Sequence, residues 1–144
     1  MVRIFVYGTL RKSECRNYLL EDSQFMGYAR AKGYLLYNIG SYPGMVEGDG
    51  EVVGEVYEIP ESLLERLDWV EGVPDLFRRE LIEVTLENGQ TISAYAYIYN
   101  RKIDNKLLIS SGDWKDVIIV SFLLCKKFSR KSMVVPRFNL LKPP

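Results

Sequence analysis

The 144-residue sequence contains no histidine. This absence excludes a Ser-His-Asp triad, a Cys-His pair and an HExxH metal site, because each of them needs an imidazole. There are two cysteines, Cys15 and Cys125, which lie far apart and form no CxxC pair. Their spacing argues against a disulfide framework or a zinc site. We therefore expect a protein that uses no metal and no cofactor.

Charge of one sign is not in excess, because 19 Lys and Arg balance 19 Asp and Glu. A net charge of zero implies no global attraction to nucleic acid or to an anionic membrane. From Asp113 onward, seven Lys or Arg face two Asp, so the tail is basic and the rest of the chain is mildly acidic. Nucleic-acid binding by the tail is a weak alternative, since no aromatic interleaving or known motif accompanies its cations, Lys126, Lys127, Arg130 and Lys131. We expect no nucleic-acid partner.

Long hydrophobic runs are also missing. The longest apolar stretch, residues 117–125, is much shorter than the roughly 20 residues of a membrane-spanning helix. The apolar run near the N-terminus contains a turn signal and does not resemble a signal peptide. A length of 144 residues with 47% hydrophobic content predicts one domain. We expect a cytoplasmic protein with no membrane partner, whose oligomeric state is left open.

The first informative feature is a strand that runs into a glycine corner. Residues 2–7 are β-branched and aromatic, which favours a strand, and Gly8 then permits backbone angles that other residues avoid. A corner of this kind can leave amide N–H groups unpaired around Thr9 and Leu10. Such donors can hold a carboxylate or a developing oxyanion. A plain tight turn is the alternative interpretation.

A second block, residues 67–79, has the sequence LDWVEGVPDLFRR. Together the two blocks support a more specific interpretation than the corner alone. With Tyr7-Gly8-Thr9-Leu10 and Tyr95-Ala96-Tyr97, the second block resembles the gamma-glutamylcyclotransferase-like family, most closely its gamma-glutamylamine cyclotransferase branch. The resemblance covers residues 2 to about 114. In that family a YG(S/T)L loop opens the fold, and a carboxylate in an LDxxEGxPxxYxR-like segment is the catalytic acid/base. Phe77 departs from the pattern, because the family usually carries Tyr there.

The resemblance implies that Glu71 is the catalytic residue. A carboxylate in a partly apolar cleft has its pKa raised by desolvation, toward the range useful for proton transfer near neutral pH. Trp69 and Val70 are expected to supply apolar neighbours. Alternatively, Glu71 caps a turn or lies on the surface. Asp68, three residues earlier, could pair with it or be solvated separately.

The expected substrate-binding residues come from four segments. Tyr7, Gly8, Thr9 and Leu10 form the corner, and Tyr42 with Gly44 resembles the family's loop beside the substrate. Arg79 matches the arginine of the family motif, although bracing against a cross-strand acid is its more common role. Tyr97 lies on a strand whose tyrosines share one face, and that face either lines a pocket or covers a wet sheet surface.

The hydrophobic patterns predict five or six strands and few helices. A helix is expected from residues 60–62 to about Val70, and a hairpin around Asn88-Gly89 joins strands 79–86 and 91–99. The fold class is α+β, a small mixed sheet curled toward a barrel, as the family resemblance also implies. Residues 1–114 form the predicted domain. Residues 115–144 are a basic extension, either packed on the domain or specific to this lineage.

The function implied by the resemblance is ring closure of a gamma-glutamyl amine or amide to 5-oxoproline with release of the amine. This reaction needs no imidazole or metal, because the substrate's own amino group attacks its gamma-carbonyl. The partner would be a small gamma-glutamyl compound. The alternative is a binding module that keeps the pocket without chemistry. Only the enzyme requires Glu71.

Overall fold

The computed structural model describes residues 1–117. Its six strands are β1 (Val2–Val6), β2 (Gln24–Asn38), β3 (Pro43–Ile59), β4 (Phe77–Leu86), β5 (Thr91–Tyr99) and β6 (Leu107–Leu108). A single α-helix within the described residues, α1 (Glu61–Val70), follows β3, and short 3-10 helices cover Asn17–Leu20 and Trp114–Val117.

Five of the strands close on themselves. β1 pairs antiparallel with β3, β3 with β2, β2 with β4 and β4 with β5, and β5 returns parallel to β1 at the pair Tyr95 and Ile4. β6 adds a short edge beside the end of β2. The predicted α+β fold, a mixed sheet curled into a small barrel, is confirmed.

The long β2–β3 ribbon supplies the curvature that closes the barrel. Its register shifts beside Gly27 and Gly33, which have φ angles of 143° and 91°. Bulges at such glycines bend a ribbon and increase its twist. β3 runs without interruption from Pro43 to Ile59, through a first half that contains three glycines.

The two faces of the barrel wall form separate hydrophobic cores. The interior core contains Phe5, Val56, Ala94, Ala96 and Ile98. The outer core lies between the barrel wall and α1, and it includes Ile4, Leu64, Leu67, Tyr97 and Tyr99. The alternation predicted for β5 is therefore present, and on its tyrosine face Tyr97 and Tyr99 are 4% and 7% exposed.

The described structure continues a few residues beyond the predicted domain boundary. Trp114 is fully buried in the interior core. Most of the predicted extension, residues 118–144, lies outside the described residues, so the boundary at 114 stays a prediction. Cys15 is disulfide-bonded, which the wide spacing of the cysteines in the sequence did not predict. Within residues 1–117, no helix combines the length and the hydropathy that membrane crossing would require.

Candidate active site

A cavity of about 290 Å³ opens where the end of β1 meets the end of α1. Its walls come from residues 5–10, Arg16, residues 41–43, residues 70 and 71, residues 76 and 77, and Tyr97. Seven of the nine predicted site residues line it: Tyr7, Gly8, Thr9, Leu10, Tyr42, Glu71 and Tyr97. The other two, Gly44 and Arg79, do not.

In the corner after β1, residues 8–10, backbone carbonyls accept hydrogen bonds, whereas the backbone amides donate none within the described part of the chain. Gly8 accepts a hydrogen bond from the amide of Arg11 at 3.0 Å, and Thr9 accepts one from the amide of Arg16 at 2.9 Å. The amides of Gly8, Thr9 and Leu10 donate no hydrogen bond within residues 1–117. Three consecutive unpaired donors at a pocket wall are able to bind an anion.

Gly8 is required for close packing. A Cβ atom at this position would lie 2.7 Å from Cγ of Pro43 and 2.9 Å from its Cδ. Side-chain carbons do not approach each other so closely, so a larger residue would push the corner away from Pro43 at the start of β3. The corner and residues 41–43 form adjacent walls of the pocket.

Below the corner, a buried glutamate holds the loop in place. Glu55 on β3 is 1% exposed and accepts hydrogen bonds from Nε of Arg11 at 3.0 Å, the amide of Lys12 at 2.9 Å and the hydroxyl of Tyr57 at 3.0 Å. Asn17 donates from Nδ2 to the carbonyl of Leu10 at 2.8 Å. These bonds fix both sides of the segment that presents the free amides. The sequence reasoning missed Glu55, although a charge inside an apolar strand was a visible signal.

Glu71 is the C-cap residue of α1, and its amide donates to the carbonyl of Leu67 at 2.8 Å. Gly72 follows with a φ angle of 68°, a left-handed conformation that commonly ends helices. The carboxylate makes no hydrogen bond within residues 1–117 and faces the cavity beside Val70. Trp69 is 85% exposed and does not line the cavity, so the expectation that its ring supplies an apolar neighbour for Glu71 is wrong. Consecutive helical residues point in different directions, which explains the difference.

The electrostatic environment of Glu71 is dominated by burial. Although the pocket mouth leaves part of its surface accessible, the carboxyl is surrounded by protein, and the loss of water raises its pKa from 4.5 to about 7. The guanidinium of Arg16 lowers the pKa of Glu71, but this effect is smaller than that of burial. A carboxyl with this pKa can both accept and release a proton near neutral pH.

Arg79 lies behind the pocket wall. It donates from a terminal nitrogen to Oδ2 of Asp68 at 2.7 Å, and its guanidinium lies 4.9 Å from the ring centre of Tyr95. Bracing is thus its observed role, but the acid is on α1 and not on a neighbouring strand. Asp68 also accepts a hydrogen bond from the hydroxyl of Tyr97 at 2.7 Å, and it pairs with these two groups instead of Glu71.

The tyrosines of the pocket differ in how their hydroxyls are used. Tyr7, directly after β1, donates to the carbonyl of Tyr97 on β5 at 2.6 Å and accepts from the amide of Met45 on β3 at 3.1 Å. Its hydroxyl therefore connects the end of β1 to two other strands. Burial raises the pKa of Tyr7 and also that of Tyr42. Gly44 lies behind the wall because its Cα packs against Tyr99, where a Cβ would be 2.9 Å from the ring.

The remaining chemistry of the described residues is simple. No group of three or more acidic, cysteine or histidine side chains within residues 1–117 is arranged to hold a metal ion. Phe77 is buried in the pocket wall and supplies a ring without a hydroxyl. The polar residues that line the cavity are therefore Glu71, Arg16, Thr9, Ser41 and three tyrosines, and backbone amides are present as well.

Comparison with known proteins identifies the family of this chain. The profile of the family described as "Gamma-glutamyl cyclotransferase, AIG2-like" matches residues 4–116. The chain belongs to this family. Among its relatives, the gamma-glutamylcyclotransferase family protein YtfP of Escherichia coli is 39% identical over 115 residues, which cover 80% of this chain and 97% of YtfP. Family membership supports gamma-glutamylcyclotransferase activity in general.

Solved structures agree with the fold. The uncharacterized protein PH0828 of Pyrococcus horikoshii superposes with a TM-score of 0.69 at 33% identity, over 83% of this chain and 94% of that one. An AIG2-like protein of Mus musculus superposes with a TM-score of 0.59 at 27% identity, over 68% of this chain and 76% of that one. The recognition of the gamma-glutamylcyclotransferase-like family from its motifs is confirmed.

Proposed function

We propose that this protein converts a gamma-glutamyl amine or amide to 5-oxoproline and a free amine, with Glu71 as the general acid/base. One observation carries the proposal: the carboxyl of Glu71, whose pKa is raised to about 7, lines the same cavity as the free amides of Gly8, Thr9 and Leu10. A proton-transfer group and an anion site then lie within one small cavity, and an internal cyclisation requires little more.

The first step is proton removal and ring closure. The ionised carboxylate of Glu71 takes a proton from the substrate's alpha-ammonium group, because only the free amine is nucleophilic. The amine nitrogen attacks the gamma-carbonyl carbon and forms the new C–N bond of a five-membered ring, while the carbonyl electron pair moves to oxygen. The attack is intramolecular, so binding only has to hold the glutamyl chain in its folded conformation.

The second step is release of the amine. The protonated carboxyl of Glu71 gives its proton to the leaving nitrogen as the old C–N bond breaks and the carbonyl reforms. The ring nitrogen loses its second proton, and the released amine gains one at neutral pH, so no proton is consumed overall. The same carboxyl serves as base and then as acid, which a pKa near neutrality allows.

The amides of the corner have a separate task. We assign the alpha-carboxylate of the glutamyl part to the amides of Gly8, Thr9 and Leu10, with Tyr42 and Tyr97 closing the pocket around the carbon chain. Backbone donors are suited to this role, because they stay fixed while the substrate reacts. Gly44 and Arg79 would act indirectly, by supporting Tyr99 and Asp68 behind the pocket wall.

The decisive experiment is to measure 5-oxoproline release from a panel of gamma-glutamyl amines and amides by the wild-type chain and by Glu71→Gln. The proposal expects release by the wild type and its near loss in the variant, with binding of 5-oxoproline retained. Binding without release by the wild type would instead support a non-catalytic binding module. Equal turnover by the two proteins would remove Glu71 from the mechanism.

A further inference from the structure

One carboxylate outside the cavity attaches the end of α1 to the barrel. Oδ1 of Asp68 accepts a hydrogen bond from the hydroxyl of Tyr97 at 2.7 Å, and Oδ2 accepts one from a terminal nitrogen of Arg79 at 2.7 Å. No other side chain of α1 makes a hydrogen bond within residues 1–117. We call these three residues the Asp68 clamp.

The sheet holds the two donors of the clamp side by side. Arg79 on β4 and Tyr97 on β5 are directly paired in the antiparallel ladder, so their side chains leave the same face of the sheet. The helix packs on that face, where Leu67 and Tyr97 belong to the outer core. Asp68 therefore meets two donors whose spacing is set by the strands and not by α1.

The backbone of Asp68 also fixes the turn that carries Glu71. Its carbonyl accepts a hydrogen bond from the amide of Val73 at 3.0 Å, which closes a turn over residues 68–73. Glu71 lies within this turn. The turn bond determines the local shape of the segment, whereas the clamp determines where that segment sits on the barrel. Both are needed to direct the carboxyl of Glu71 into the cavity.

We propose that Asp68 is a positioning residue, which acts through Tyr97 and Arg79 to hold the carboxyl of Glu71 inside the cavity. Its effect on turnover rests on the proposed function. A reacting group has to be held within about 0.5 Å of its productive position, and hydrogen bonds outside the site commonly supply this restraint. Without the clamp, the last turn of α1 would be held by apolar packing, which has no preferred direction. Glu71 would then be free to move toward water.

The charged and titratable groups that face Glu71 come from three other parts of the barrel. Arg16 and Tyr7 follow β1, Tyr42 precedes β3, and Tyr97 lies on β5. Burial is the largest influence on the pKa of Glu71, which it raises to about 7 against the smaller effect of Arg16. A carboxyl that moves toward water regains its hydration, so its pKa should fall. This pKa therefore reports the position of Glu71 without any substrate.

Paired variants in urea denaturation test the inference. In the wild-type background, Glu71→Gln should gain stability over its parent as pH rises from about 4.5 to about 7. The gain should shrink by roughly half or more when parent and variant both carry Asp68→Asn, and likewise when both carry Tyr97→Phe. Tyr97→Phe changes no charge, so it separates position from electrostatics. Glu65→Gln removes a charge from an exposed position of α1 and should leave the gain unchanged.

An undiminished gain in either clamp background would overturn the inference. An effect of Asp68→Asn alone would be an effect of charge, and an effect of Tyr97→Phe alone would make Tyr97 independent of Asp68. An equal reduction that also appears with Glu65→Gln would overturn it too, because it would show a general loosening of α1.

Turnover provides a second readout. Asp68→Asn should lower kcat by roughly tenfold with a smaller change in KM, and the acid inflection of kcat/KM should move below that of the wild type. A loss of activity with an unchanged inflection would make Asp68 structural only and overturn the inference. If the wild type releases 5-oxoproline from no gamma-glutamyl compound, the proposed function fails, and the denaturation experiment still decides whether the clamp positions Glu71.

Discussion

The guanidinium of Arg11 donates from Nε to Oε2 of Glu55 at 3.0 Å, and the two side chains are 4% and 1% exposed. Arg11 also donates from a terminal nitrogen to Asp113 at 2.7 Å. This buried pair links the loop after β1 to the middle of β3 and to the chain just before Trp114. The loop carries the free amides of the pocket, so their orientation depends on a charge pair that is itself outside the pocket.

Removing the charge of Glu55 should destabilise the protein. Glu55→Gln leaves Arg11 buried with an incomplete set of partners, and breaking one side of a buried pair typically costs about 3–5 kcal/mol in the free energy of unfolding. Glu51→Gln is the matched control, since its pair with Arg30 is exposed and worth less than about 1 kcal/mol. Urea denaturation of the two variants measures the difference. Similar small losses in both would contradict the importance of the buried pair.

Replacing Glu71 should separate binding from turnover. Glu71→Gln keeps the shape of the side chain but cannot accept a proton, so turnover should fall by roughly a hundredfold to ten-thousandfold. Asp75→Asn, an exposed carboxylate in the following loop, is the matched control and should change turnover little. Asp68→Asn should also cost much less than Glu71→Gln. The measurement is 5-oxoproline release, accompanied by the dissociation constant of 5-oxoproline.

The raised pKa of Glu71 predicts a pH-dependent stability. Because the folded state binds this proton more tightly than the unfolded state, the contribution of Glu71 to the free energy of unfolding falls as pH rises from about 4.5 to about 7. Glu71→Gln does not titrate, so it should gain stability relative to the wild type across this window. Denaturation curves at the two ends of the window provide the measurement. A constant difference would show that the pKa is not raised.

The titration of Glu71 should also appear in the pH dependence of kcat/KM. With Glu71 as the base, kcat/KM should fall as pH decreases below about 7, because the protonated carboxyl cannot accept the substrate's proton. The profile of Asp75→Asn should follow that of the wild type. An inflection near the ordinary pKa of a glutamate would assign the acid limb to a different, more exposed group.

The contact of Gly8 with Pro43 predicts a compensating pair of substitutions. Gly8→Ala places a Cβ within 3 Å of the proline ring and should cost about 1–3 kcal/mol of stability while weakening the binding of 5-oxoproline. Pro43→Ala removes the two contacted carbons, so the double variant should be less affected than the sum of the single changes. Strict additivity of the three variants in denaturation would argue against the steric contact.

Several features follow from the sequence because their causes are local. The helix predicted from residues 60–62 to about Val70 is present as α1, and the Asn88-Gly89 turn joins β4 and β5 as predicted. Gly8 was recognised as a corner from its neighbours in the chain. In each case, turn chemistry, capping or periodicity acts within a few residues, so the pattern is visible without the rest of the fold.

Other features depend on segments far apart in the chain. The first half of β3 is rich in glycine and acidic residues, yet it is a strand because β2 pairs with it, and Leu35 of β2 packs over Gly48. The partners of Glu55 and Arg79 are set by barrel closure and by the packing of α1, neither of which a linear pattern encodes. The sequence alone thus determined the local elements, the family motifs and the candidacy of Glu71. Only the tertiary structure decided which side chains share the cavity, since long-range pairing brings them together.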